Sequence, residues 1–214
     1  MTSSVLAHFI VAAFPVGAIA AALSDAATFT IPNRLTIAIA AAFFPVALIL
    51  GLPVQTIGAC AAVGVLALVV GVGLFAMNWC GGGDAKLLAA CALWLGVPAV
   101  LPFLFAMSVV GGILALILVV GRKTNLGGFL AAGWAWLERR MAPLLERLRK
   151  ALAGPHGAGP AWLGRTGSPE GPAGPVWVAR LFSPTEALPY GIAIAVGALI
   201  AFPSSPVMQA LGGH

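Results

Sequence analysis

Long runs of apolar residues, separated by short polar connections, dominate the chain. A transmembrane helix needs about 20 mainly apolar residues. Six runs reach or approach that length, and the fourth and sixth of them are short for a full crossing. They cover residues 5–23, 35–52, 54–76, 85–100, 102–120 and 188–202. The pattern predicts an all-α, polytopic membrane protein with about six transmembrane helices.

The apolar runs divide the chain into three parts. Residues 1–120 are predicted to form a membrane domain with helices one to five, and residues 188–214 to form the last membrane helix and a short tail. The intervening residues 121–187 are predicted to form a basic cytoplasmic segment. They contain an amphipathic helix at 134–152 and a Gly/Pro-rich linker at 154–175. The amphipathic helix either lies on the membrane surface or only enforces the topology.

The composition supports a membrane protein and argues against a nucleic-acid partner. Hydrophobic residues make up 61% of the chain and charged residues only 8%, which is unusual for a soluble domain. The formal net charge is +5, but the Lys and Arg residues do not form a basic stripe with exposed aromatic side chains. We therefore expect membrane lipid, and no nucleic acid, among the partners.

The basic residues predict the orientation of the helices. If the amino terminus lies outside, Arg34, Lys86 and all nine Lys and Arg residues of the segment 122–180 fall on the cytoplasmic side. This is the positive-inside pattern. The first four residues carry no positive side chain, unlike the start of a cleaved signal peptide, so we expect the first run to be retained as a membrane helix.

Two acidic residues stand beside predicted helix ends, where ionisable groups are costly and are often functional. Asp25 follows the first apolar run and Asp84 precedes the fourth, so both are expected at the cytoplasmic face. Two neighbouring carboxylates cannot easily both ionise, and such a pair acts as base and acid in aspartic proteases. The sequence does not assign the two roles.

Each of these residues also has a plain structural interpretation. Asp25 alone is a solvated loop acid, and Asp84 alone is a helix cap that follows the helix-breaking glycines 81–83. Lys86 either stabilises a carboxylate or contacts substrate, or it anchors the fourth helix at the membrane face. Asn33 belongs either to a turn or to the site.

Taken together, the two regions resemble the bacterial type IV prepilin peptidases, which are aspartic peptidases of the GxGD type. Their pattern joins an aspartate six residues before Ile-Pro-Asn to a later Gly-x-Gly-Asp-x-Lys. The resemblance covers helices one to four and extends weakly to the residues 189–194. The matching positions are Asp25, Ile31, Pro32 and Asn33 in the first motif, and Gly81, Gly83, Asp84 and Lys86 in the second.

The resemblance implies an aspartic endopeptidase that removes leader peptides from pilin-like precursors at the cytoplasmic face of the bacterial inner membrane, in support of pilus assembly. It implies no cofactor. Cleavage would follow a glycine that precedes the hydrophobic helix of the precursor. The implied catalytic residues are Asp25 and Asp84, and the implied supporting or substrate-binding residues are Gly81, Gly83, Lys86, Pro32 and Asn33.

The chain departs from the longer members of that family. It lacks a cysteine-bearing loop between the first helices and so resembles the compact form that serves Flp-type, tight-adherence pili. This absence leaves methylation of the new amino terminus without support. Residues 26–30 carry no basic side chain, and the insertion 121–187 is a further difference.

Other classes of function remain open at this stage. The scattered histidines and cysteines do not form a metal-binding cluster, so no metal is expected. The same acids can serve a small proton- or cation-coupled membrane transporter subunit. A non-catalytic pilus-assembly scaffold is the third alternative, and the oligomeric state is not indicated. The scattered residues are His8, His156, His214, Cys60, Cys80 and Cys91.

Overall fold

A computed structural model of the chain describes residues 11–124 and 189–212, together with the isolated positions 133, 136, 140 and 141. The predicted amphipathic helix and Gly/Pro-rich linker lie outside the described residues, apart from three of these positions. Residues Met1–Leu116 and Ala187–His214 form one compact unit, and Ile117–Glu186 form another. Both aspartates belong to the first unit.

The described ranges contain six α-helices, which we number in chain order, and no strand. A 3₁₀ turn, Phe202–Ser204, separates the last two. The all-α prediction is therefore confirmed. The helices are α1 (Ala13–Thr28), α2 (Asn33–Ile49), α3 (Val54–Ala76), α4 (Gly82–Lys123), α5 (Tyr190–Ala201) and α6 (Pro206–Gly212).

Three segments in this part of the chain are long and apolar enough to cross a membrane. They are Val54–Ala76, Gly82–Gly121 and Tyr190–Gly212. The helices α1 and α2 are shorter but also apolar. Their outward surfaces carry large apolar side chains, which are suited to contact with lipid tails rather than water. This arrangement of roughly five to six helices is consistent with the prediction of about six from the apolar runs.

Helix α4 joins the two predicted helices 85–100 and 102–120, and its backbone is broken at Gly96, within the first of them. At about 1.5 Å per residue, a straight helix of this length would be about twice as long as the bilayer core is thick. Gly96 interrupts the helical backbone with a φ of 59° and a ψ of −169°. The two predicted helices are therefore one helical segment with a backbone break at Gly96.

An aromatic cluster holds together the helices that carry the candidate site. The ring of Phe14 lies 5.1 Å from that of Trp94 and 4.7 Å from that of Phe202. Phe43 contacts Trp94 edge-on at 5.7 Å. The indole Nε1 of Trp94 donates a 2.8 Å hydrogen bond to the carbonyl of Ile39, so this buried polar group is satisfied. The cluster thus links α1, α2, α4 and the turn after α5.

Candidate active site

Asp25 lies inside the last turn of α1. The apolar run had predicted that Asp25 follows the helix. The helix continues to Thr28 because polar side chains close its end: Thr28 Oγ1 donates to the carbonyl of Ser24 at 2.8 Å, and Ser24 Oγ donates to that of Thr30 at 2.9 Å. Phe29 ends the helix with a left-handed φ of 55°. A helical position fixes the direction of the Asp25 side chain.

The carboxylate of Asp25 is buried and is held by the beginning of α5. The residue is only 5% exposed, so its interpretation as a solvated loop acid is wrong. The backbone N–H of Gly191 donates a 2.7 Å hydrogen bond to Asp25 Oδ2. A Cβ atom at position 191 would lie 2.7 Å from that oxygen, so only glycine fits here. Free N–H groups at a helix amino terminus stabilise a negative charge.

Asp84 is in the first turn of α4, where it also acts as a cap. The carbonyl of Gly81 accepts the first helical hydrogen bond, from the N–H of Ala85 at 3.1 Å. The carboxylate of Asp84 reaches back to a backbone hydrogen bond with Gly81, as the acidic residue of a capping box does. The carboxylate is only half-buried and can accept further hydrogen bonds. Capping and chemistry are therefore compatible.

The two aspartates line one cavity of ≈ 620 Å³. The two side chains are close enough for the negative charge of Asp25 to interact electrostatically with the carboxylate of Asp84. The connecting segments 29–31 and 78–83 form most of the remaining wall, and Tyr190 completes it from α5. The structure thus brings together, at one cavity, two acids that are far apart in the sequence.

Two contacts join the two sequence motifs beside this cavity. A Cβ atom on Gly83 would lie 3.3 Å from Cβ of Ile31, so the absence of a side chain lets these backbones approach closely. Lys86 Nζ donates a 2.8 Å hydrogen bond to Asn33 Oδ1. Pro32 is the N-cap of α2, with an extended backbone. Lys86 therefore bonds to the other motif, whereas the sequence suggested a carboxylate, substrate or anchoring role.

The cavity also contains residues that the sequence patterns did not single out. Phe29 and Asn78 both line it, and both have a left-handed φ, of 55° and 58° respectively. Such a backbone is uncommon away from glycine and tends to occur at functional sites. For Asn78 the residue type was a usable signal, since asparagine tolerates this conformation. Gly191 lies in the weakly matching residues 189–194, but its role gave no signal, because its contribution is a backbone N–H.

Cys80 lies in the same wall, but its properties do not suit a nucleophile. Its Sγ is 3.6 Å from the carbonyl oxygen of Gly71, to which it donates. Partial burial, and then the negative charge of Asp84, raise the pKa of the Cys80 thiol. A thiol that stays protonated reacts slowly. Within the described ranges, no three His, Cys, Asp or Glu residues are grouped in a way that could hold a metal ion.

Comparison with known proteins agrees with the motifs. A sequence profile of the type IV leader peptidase family matches residues 12–116. This range contains both aspartates and both motifs and stops before α5. No curated protein and no solved structure matches the chain. With its several apolar helices, the chain is a multi-pass membrane protein whose residues 12–116 are similar to the type IV leader peptidase family.

Proposed function

We propose that this protein is an aspartic endopeptidase that uses Asp25 and Asp84 to remove leader peptides from Flp-like prepilins. The match to the family supports leader peptidase activity and prepilin substrates, and it favours a peptidase over a transporter subunit or a scaffold. The aspartic mechanism rests on one observation. Both carboxylates line the same cavity, and no other acidic side chain of the described residues does so.

The pair would work by sharing one proton. The carboxylate without the proton takes one from a water molecule as the water attacks the scissile carbonyl carbon. The protonated carboxyl group donates to the carbonyl oxygen and later to the leaving amine. A backbone hydrogen bond from Gly191 fixes the orientation of Asp25, and one from Gly81 fixes that of Asp84. Groups that are oriented in advance lower the free-energy cost of reaching the transition state.

The other motif residues would support the pair or bind substrate beside it. Gly83 allows the Ile31 backbone to approach, and the three glycines leave backbone along which an extended peptide can lie. Pro32 and Asn33 begin α2 next to the cavity, and the bond from Lys86 to Asn33 holds the start of α2 to the first turn of α4. We assign these residues to positioning rather than to proton transfer.

The location that we propose for the reaction is the cytoplasmic face of the bacterial inner membrane. The amino terminus would lie outside, so that Arg34 and Lys86 fall on the cytoplasmic side with the basic residues of 122–180. In this topology the basic segment 121–187 is cytoplasmic as well.

The test is cleavage of a co-expressed Flp-type prepilin, followed by mass spectrometry of the precursor. Wild type should shorten the precursor. Asp25→Asn and Asp84→Asn should each reduce cleavage by about 10²-fold or more, since acid–base catalysis typically contributes that much. The near-identical size of Asn should preserve insertion, and Glu170→Gln, in the polar insertion, is the matched control. Full cleavage by either Asp variant at equal membrane levels would overturn the mechanism.

A further inference from the structure

A second cavity, of ≈ 490 Å³, lies between α2, α3 and α4. It shares no lining residue with the cavity of the two aspartates. We call it the lateral groove. Its walls are apolar and partly open to the surroundings: Ile37 is 65% exposed, Val65 61% and Phe44 46%. In a membrane protein such a surface is suited to contact with lipid tails. Because the two cavities share no lining residue, the groove lies beside the candidate active site rather than within it.

Polar groups occur at only one end of the lateral groove. They belong to Asn33, Thr36 and Lys86. The hydroxyl of Thr36 already donates to the carbonyl of Asn33 at 3.0 Å. The exposed ammonium of Lys86 uses one of its three donors for Asn33. Arg34 is exposed at the next position of α2. No acidic side chain lines the groove.

We propose that the lateral groove binds an acyl chain of an anionic phospholipid, whose phosphate lies at Lys86 and Arg34. Apolar walls that enclose empty space lose dispersion contacts, and a lipid tail restores them. The ammonium and the guanidinium then donate to the phosphate oxygens. This charge complementarity selects an anionic headgroup, by about fivefold for each basic residue.

The lipid would also act on the junction of the two motifs. Its phosphate would lie beside the hydrogen bond from Lys86 to Asn33, which joins the start of α2 to the first turn of α4. A bound anion would keep the Lys86 side chain at this junction. The lateral groove is thus a site through which the composition of the membrane can affect the candidate active site.

The experiment is a lipid titration of the purified full-length chain in detergent, read by native mass spectrometry, with palmitoyl-oleoyl phosphatidylglycerol and phosphatidylcholine as probes. Val65→Trp fills the groove, and Val69→Trp is its matched control. Val69 lies one turn further along α3, is similarly exposed at 63% compared with 61%, and does not line the groove. Lys86→Gln, alone and with Arg34→Gln, tests the headgroup.

Wild type should retain one phosphatidylglycerol in preference to phosphatidylcholine. Val65→Trp should weaken this binding by about tenfold, as for the loss of one well-filled apolar contact, and Val69→Trp should not. Lys86→Gln should reduce the preference by about fivefold, and the double variant should abolish it. Equal binding by the two tryptophan variants, or no preference in wild type, would overturn the proposal.

A further outcome would assign the groove to a different occupant. If Val65→Trp left lipid binding intact but raised KM for precursor cleavage, the groove would hold the precursor and the lipid proposal would be wrong. The lipid titration contains no precursor, so its failure would leave the proposed peptidase function untouched. Loss of cleavage in the aspartate variants likewise does not bear on lipid binding.

Discussion

Asp25 is oriented by its contact with Gly191, and this contact leaves no space for a side chain at position 191. A Cβ atom on Gly191 would lie 2.7 Å from Asp25 Oδ2 and 2.9 Å from the carboxylate carbon. Both distances are far below ordinary van der Waals contact. Any other residue at position 191 must therefore move either the carboxylate or the start of α5.

We predict that Gly191→Ala lowers kcat for precursor cleavage by about 10²-fold with little change in KM, because a displacement near 1 Å at a reacting group has an effect of that size. Steady-state cleavage of a purified precursor provides the measurement. Gly73→Ala is the matched control, since a Cβ there meets nothing within 4 Å.

A second control separates positioning from the docking of α5. In Gly197→Ala the new Cβ would lie 2.7 Å from the backbone nitrogen of Met107, so the change disturbs the same helix without touching Asp25. If Gly191→Ala retained the kcat of Gly73→Ala, or if Gly197→Ala showed the same selective loss of kcat, the contact with Asp25 would not be what matters.

At this scale the sequence predicts side chains better than backbone groups. Asp25 and Asp84 could be singled out because acids are scarce in so apolar a chain, and the structure places both in one cavity. The partner of Lys86 could not be chosen from spacing alone. The weak match of residues 189–194 did not reveal the role of Gly191, since a backbone N–H is present at every residue except proline.

Helix α4 shows how much an element depends on one backbone conformation. Gly96 has a φ of 59°, and a Cβ at this position would lie 2.7 Å from Cys60 Sγ on α3. Glycine at position 96 therefore has two roles. Its positive φ interrupts the long helix, and its lack of a side chain lets α3 approach closely.

We expect Gly96→Ala to lower the free energy of unfolding by about 1–3 kcal/mol, because alanine is strained at positive φ and its methyl group must displace Cys60. Thermal unfolding in detergent provides the measurement. Gly58→Ala on α3, where a Cβ meets nothing within 4 Å, should be neutral or slightly stabilising. An unchanged melting temperature for Gly96→Ala would show that the break carries no such constraint.

The existence of the helices was easier to predict than their ends. The apolar run of the first helix stopped at residue 23, whereas α1 continues to Thr28 through hydrogen bonds of hydroxyl groups. Helix α4 likewise begins at Gly82, ahead of the apolar residues. Hydrophobic patterning records only the part of a helix that contacts lipid or core, so polar caps extend helices beyond it.

The orientation of the whole molecule can be tested with a cysteine that the chain already contains. Of the three cysteines, Cys60 and Cys91 are buried and Cys80 is partly exposed in the cavity of the aspartates. A membrane-impermeant reagent that modifies Cys80 therefore reports which side of the membrane the candidate active site faces.

We predict that a membrane-impermeant maleimide labels Cys80 in inverted vesicles and not in intact spheroplasts. Burial and the Asp84 charge raise the pKa of this thiol. Labelling should therefore be slow near neutral pH and accelerate as the pH rises above the usual thiol range, since the thiolate is the reactive form. Cys80→Ser is the control. Labelling from outside would reverse the proposed topology.

The hydrogen bond between Gly191 and Asp25 also sets an order of events during biosynthesis. The two residues are 166 positions apart, so a nascent chain that has inserted α1 to α4 still lacks the donor for Asp25. The ribosome must finish α5 before the carboxylate is fully oriented. A partly translated chain therefore lacks the contact that orients Asp25 until the start of α5 has been made.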